Sequence, residues 1–120
     1  MSGWALGVEI GGTKLQAALG TLDGEIIQTR RGAVSTPRAL DILAWFEREI
    51  PGLLEHARAQ GKTVEGIGVG FGGPIDSASG RVIVSHQVDG WDGVDLRGWF
   101  EKTFQLPVAV FNDSNAAGWA

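Results

Sequence analysis

An α/β fold is predicted from three features of the 120-residue sequence: β-prone runs split by glycine turns at the front, a long amphipathic stretch in the middle, and a strand, helix, strand succession towards the end. With 43% hydrophobic and 20% charged residues, the chain has enough apolar material for one packed core and is not an intrinsically disordered segment. The first runs, Trp4 to Ile10, Leu15 to Leu19 and Glu25 to Thr29, are separated by Gly11-Gly12 and by the hairpin dipeptide Asp23-Gly24. They predict a three-stranded antiparallel meander.

Next, Ser35-Thr36-Pro37 offers an N-cap and a proline near the first helical position. Leu40, Leu43, Ala44, Ile50, Leu54 and Ala57 then recur at helical spacing, with Gly61 as the stop. Pro51-Gly52 falls inside this stretch and predicts a kink or two short helices. Val64 to Phe71 reads as a strand, Gly72 to Gly80 as a turn-rich loop, and Arg81 to Ser85 as a shorter strand. Leu96, Trp99, Phe100 and Phe104 mark an amphipathic helix from about Asp95, ended by Pro107 before the strand Val108 to Phe111, which makes a parallel crossover. From Asp113-Ser114-Asn115-Ala116-Ala117 a further helix begins, too short by Ala120 to bury its own apolar face. The chain therefore reads as a fragment of a longer protein.

Composition excludes several functions. There is no cysteine, so disulfide scaffolds, thiolate zinc sites and cysteine nucleophiles are ruled out, and a reducing, cytoplasmic setting fits. The front of the chain lacks the basic and apolar regions of a signal peptide, and no apolar run approaches the ~18 residues of a membrane helix. A net charge of -4, with no basic cluster beyond Arg30-Arg31, lacks the electrostatic footprint of a nucleic-acid binder. Neither a membrane nor a nucleic acid is an expected partner. Nineteen glycines are roughly twice ordinary usage, so their positions carry the information.

Three stretches could carry chemistry. In Gly7-Val8-Glu9-Ile10-Gly11-Gly12-Thr13-Lys14, a strand with a carboxylate runs into a double-glycine turn with a hydroxyl and an ammonium. Such a turn brings backbone N–H groups close to phosphoryl oxygens, Thr13 adds a donor and Lys14 a positive charge. Glu9 could hold a hydrated Mg²⁺, which is usually bound through one or two carboxylates plus substrate phosphates. A plain hairpin with a surface lysine would use the same residues. It is not a Walker A loop, since a strand rather than a helix follows.

The second stretch, Gly66 to Asp76, contains Gly68, Gly70 and Gly73 in a literal G-x-G-x-x-G. A dinucleotide site needs a helix after the last glycine, whereas Pro74 to Gly80 reads as a turn leading to a strand. The glycines would serve either close helix packing and a sharp turn, or a backbone loop closing on a ligand at the strand's carboxyl end. In the third, Asn112-Asp113 stands at a strand-to-helix junction on that same edge. There a carboxylate can accept a proton from a substrate hydroxyl while the amide orients it; helix capping is the commoner use, and Ser114 could cap instead.

Together these stretches resemble the ROK family, the sugar kinases and sugar-responsive repressors of the actin-like, ribonuclease-H-like ATPase superfamily. Glu9 to Lys14 is similar to its first phosphate motif and Gly70 to Asp76 to its sugar loop. Gly90-Trp91 with Val94-Asp95-Leu96 resembles its next signature, and Leu106-Pro107-Val108 leading to Asn112-Asp113 and Asn115-Ala116-Ala117 is the most specific match. The resemblance implies a ribonuclease-H-like lobe with a mixed five-stranded sheet. Asp113 would be the general base on a sugar hydroxyl, Asn112 and the Gly72-Gly73 turn sugar contacts, and Gly11, Gly12, Thr13 and Lys14 would face the ATP phosphates. Glu9 stands where the family often has Asp, and His86-Gln87 and Asp89 depart from a common proline-containing pattern, which leaves the sugar open. His86 could touch substrate or be a surface histidine, with the latter favoured, and His56 lies on the polar side of a helix and needs no function.

The implied activity is ATP- and Mg²⁺-dependent phosphorylation of a hexose or N-acylhexosamine. Residues 1–120 would form the first lobe, with the second lobe outside this chain and a homodimer expected of the intact protein. The alternative is a sugar-sensing regulator or a silent sugar-binding protein. A regulator of this family carries a DNA-binding domain ahead of the first strand, which here begins at Trp4 just after Met1.

Overall fold

The computed structural model describes residues 3–11, 14–35, 38–72, 75–76, 79–82 and 94–112. Strands β1 (Gly3–Gly11), β2 (Lys14–Thr21) and β3 (Ile26–Ala33) form the antiparallel meander that the glycine punctuation predicts. β3 runs four residues past the expected Thr29 because both arginines in it find partners. Arg30 reaches Glu49 at 3.1 Å on one face of the sheet, and Arg31 reaches Gln16 at 2.9 Å on the other.

Helix α1 (Ala39–Ala59) differs from expectation at its start and in its middle. Arg38, in extended conformation, occupies the N-cap position without a side-chain hydrogen bond, three residues beyond Ser35. Thr36 and Pro37 lie outside the described residues. The helix passes uninterrupted through Pro51, because Ile50 and Leu53 on either side are fully buried and fix the same face. The buried stripe is Ala39, Ile42, Leu43, Phe46, Ile50, Leu53 and Ala57, with Trp45 beside it. Leu40, expected in that stripe, is 82% exposed, and Ala44 is exposed as well. Gly61 does end the helix: it takes φ 71° while Gly61 N–H and Lys62 N–H donate to the carbonyls of Arg58 and Ala57 at 3.0 and 2.9 Å, a Schellman closure.

Strand β4 (Thr63–Phe71) follows, then two short strands paired antiparallel: β5 (Ile75–Asp76), which lies inside the expected turn-rich loop, and β6 (Arg81–Val82), at the start of the strand expected from Arg81. Strand pairing at Ile75–Asp76 and Arg81–Val82 is incompatible with the helix that a dinucleotide fingerprint requires after Gly73, so that reading fails. Helix α2 (Leu96–Phe104) is capped by Asp95, whose carboxylate accepts from Gly98 N–H at 3.0 Å. It closes one residue after Phe104 on Gln105 in the left-handed region, φ 57°, before Pro107 is reached. Gly80 ties the β5–β6 hairpin to this helix. Its carbonyl accepts from Leu96 and Arg97 N–H at 3.1 and 3.3 Å, and a Cβ at Gly80 would fall 2.4 Å from that of Arg97.

Strand β7 (Val108–Asn112) completes a mixed five-stranded sheet ordered β3-β2-β1-β4-β7, in which β1, β4 and β7 are parallel. One face carries Leu6, Val8, Ile10, Leu15, Ala17, Leu19, Ile67, Val69 and Val110, all buried. Both helices lie on it: Phe46 of α1 meets Phe100 of α2 with ring centroids 5.7 Å apart, and both rings are fully buried. No polar or charged residue is buried among the described residues. At about 1.5–3 kcal/mol for each fully buried large side chain, this single apolar layer is what holds the sheet and helices together.

Candidate phosphate- and sugar-facing edge

Three parallel strands end at the same edge of the sheet, so their carboxyl-terminal residues are brought side by side. In register, Ile10 pairs with Phe71 and Phe71 with Asn112, and Gly72 N–H donates to the Ile10 carbonyl at 2.9 Å. Gly11, Gly72 and Asn112 therefore stand on three neighbouring strands, with Asn112 about 10 Å across the sheet from β1. β2 begins at that edge, which places Lys14 opposite Gly11. The carboxyl edge of an open parallel sheet is where such folds bind ligands.

Glu9 and Lys14 point away from the helices, since Val8, Ile10 and Leu15 between them are buried on the helix face; both charged residues are exposed. Among the described residues neither has an ion-pair partner. Glu9 is thus a carboxylate open to solvent at the end of β1, which suits a single-carboxylate contact to a hydrated Mg²⁺. No group of three or more potential metal ligands occurs among the described residues. Gly12, Thr13, Gly73 and Asp113 lie outside the described residues, as do His86, Gln87 and the Gly90-Trp91 signature.

The sheet face opposite the helices carries a half-open groove of about 480 Å³. Its floor is Ala5, Gly7, Ala18, Gly20, Gly68 and Gly70; Glu9 and Gln16 stand at one end, and Asp23 and Glu25 with the exposed Leu22 and Ile26 at the other. The strand glycines Gly68 and Gly70 thus open a groove, whereas both described helices pack on the other face. Their spacing at every second residue is the signal that they share one face of β4. Two residues of this face, Gln16 and Arg31, do not stand out in the sequence, because only the register of β2 with β3 makes them neighbours. His56, expected on the polar side of its helix, is half-buried and stacks on Trp4, centroids 6.5 Å apart, at the opposite end of the sheet.

The mixed sheet, with its meander and its parallel crossover strands, is an α/β fold of the actin-like ATPase kind. The chain belongs to the ROK family, whose model matches residues 5–120. It is 32% identical over 117 residues to a glucokinase of Streptomyces coelicolor, covering 98% of this chain and 35% of that protein. Among solved structures, it resembles a ROK family glucokinase from Streptomyces griseus in complex with glucose and AMPPNP, at 34% identity and TM-score 0.76, with 97% of this chain and 35% of that one covered. It also resembles a ROK family transcriptional regulator, a homolog of the E. coli MLC protein, at 25% identity and TM-score 0.85, covering 98% and 30%. The chain spans about a third of the length of the relatives it matches. No helix among the described residues is long and apolar enough to cross a membrane.

Proposed function

We propose that this chain is the sugar- and phosphate-facing lobe of a cytoplasmic ATP-dependent kinase, homodimeric when intact, that phosphorylates a hexose or N-acylhexosamine hydroxyl. The observation that carries the reading is the convergence of Gly11, Gly72 and Asn112 on one sheet edge, with Lys14 and Glu9 beside them. The similarity to glucokinases, one of them bound to glucose and AMPPNP, supports it. Asp113, the residue after Asn112, accepts the proton of the attacking sugar hydroxyl, and Asn112 with the Gly72-Gly73 turn orients that sugar. The Gly11-Gly12-Thr13-Lys14 bend lines up the phosphates through backbone N–H groups and the lysine charge. Glu9 holds Mg²⁺, which when bound neutralises charge on the phosphate oxygens. Phosphoryl transfer depends mainly on such positioning and charge stabilisation.

In the protein carrying both lobes, Asp113→Asn should lower turnover by on the order of 10² to 10⁴, the range for losing a general base. Unchanged ADP release in a coupled assay with glucose would reject the kinase reading. A sugar-sensing regulator is the second reading, favoured by the fold similarity to the transcriptional regulator. It predicts sugar binding that survives Asp113→Asn with no turnover in either form.

A further inference from the structure

Alternation along three strands sets one polar row across the groove face, on the same edge as the bend between β1 and β2. Glu9 pairs with Gln16, and Gln16 with Arg31, so the three side chains stand on adjacent strands of β1, β2 and β3. One step nearer the edge, Lys14 lies opposite Gly11 on one side and Ala33 on the other, so nothing larger than a methyl group stands beside it in its own row. The two neighbouring arginines of β3 are used differently. Arg30 lies on the helix face and is neutralised by the Glu49 carboxylate at 3.1 Å. Arg31 is held on the groove face by a neutral group: its Nε–H donates to Gln16 Oε1 at 2.9 Å. An amide acceptor orients a guanidinium without cancelling its charge, and it leaves the Nη donors for another partner. Among the described residues neither Lys14 nor Arg31 meets a carboxylate.

We propose that Arg31, positioned by Gln16, acts with Lys14 as a two-cation contact for a ligand bearing a chain of three or more phosphates, extending the phosphate-facing surface from the β1–β2 bend across to β3. The inference rests on the reading of that bend as phosphate-facing. Diagonal neighbours across antiparallel strands lie about 7–8 Å apart at Cα, and both side chains are long. A phosphate chain can therefore touch both cations, and its greater negative charge favours it over a single phosphate. Glu9 in the same row opposes a bare polyanion, so the favoured form is the magnesium complex.

The shared chemistry could come from a nucleoside triphosphate or from inorganic polyphosphate, and separate titrations distinguish them. The isotopically labelled 120-residue chain would be followed by amide NMR during titration with magnesium ATP, magnesium tripolyphosphate and orthophosphate. Saturable shifts at Lys14, Gln16 and Arg31 are expected with one or both of the first two, and weaker ones with orthophosphate. Arg31→Ala should weaken binding about three- to fivefold, the scale of one exposed charge contact. Arg31→Lys should recover part of it, and Gln16→Ala should cost less than Arg31→Ala. Dependence on Arg31 with both probes marks the phosphate chain itself as the ligand; dependence with magnesium ATP alone assigns the nucleotide's tail. Absent saturation, or Arg31→Ala binding as tightly as the parent sequence with an otherwise unchanged spectrum, overturns the proposal. The readout is binding, so failure of the Asp113 turnover test leaves it standing.

Discussion

Gly32 illustrates how one missing side chain sets a packing contact. It lies on the helix face of β3 opposite Leu15, and a Cβ there would fall 2.3 Å from Nε1 of the buried Trp45 indole. The ring has no room to withdraw, because its neighbour Phe46 is fully buried against it at a centroid distance of 4.9 Å. Gly32→Ala should therefore lower unfolding free energy by about 1–3 kcal/mol, the cost of overpacking a filled core, read from the midpoint of urea denaturation. The same logic separates Arg30 from Arg31. Adjacent in sequence, they point to opposite faces of the sheet, and one is bound to α1 while the other bonds Gln16 on the face that carries the groove.

At the scale of elements, α1 is the informative case. Proline in a helix interior removes one backbone hydrogen bond and crowds the preceding turn, yet Pro51 sits at an exposed position inside a continuous 21-residue helix. Tertiary burial of Ile50, Leu53 and Ala57 carries the helix through. Pro51→Ala restores the missing donor without touching the core, so it should raise stability by roughly 1–3 kcal/mol. Thermal and urea melts of the variant check this, and an unchanged midpoint would mean that the helix already relaxes around the ring. The opposite lesson comes from α2, where local signals suffice: the helix starts next to Asp95 as its spacing predicts, with Asp95 as the cap, and Phe100 of the aromatic set is on the buried face.

On the scale of the whole molecule, the described residues of the proposed kinase chemistry stand at the edge where β1, β4 and β7 end, and the proposed function makes that edge one side of the reaction site. A reaction that depends on positioning from both sides should not proceed here, so the 120-residue chain mixed with ATP, Mg²⁺ and glucose should release no ADP above background in a coupled assay. Much of this architecture was legible in the residues. The glycine-punctuated meander, the strand at Thr63–Phe71 and the strand, helix, strand crossover are encoded by local periodicity and turn chemistry, which act over a few residues. The family resemblance pointed to Glu9, Lys14, Gly72 and Asn112. What only the tertiary structure decided is the lateral order β3-β2-β1-β4-β7 and the registers within it. Those rest on how apolar faces far apart in the chain fill one shared core, which no short window of sequence contains. The same registers exposed Leu40, carried α1 through its proline, opened the glycine face as a groove, and set Gln16 beside Arg31.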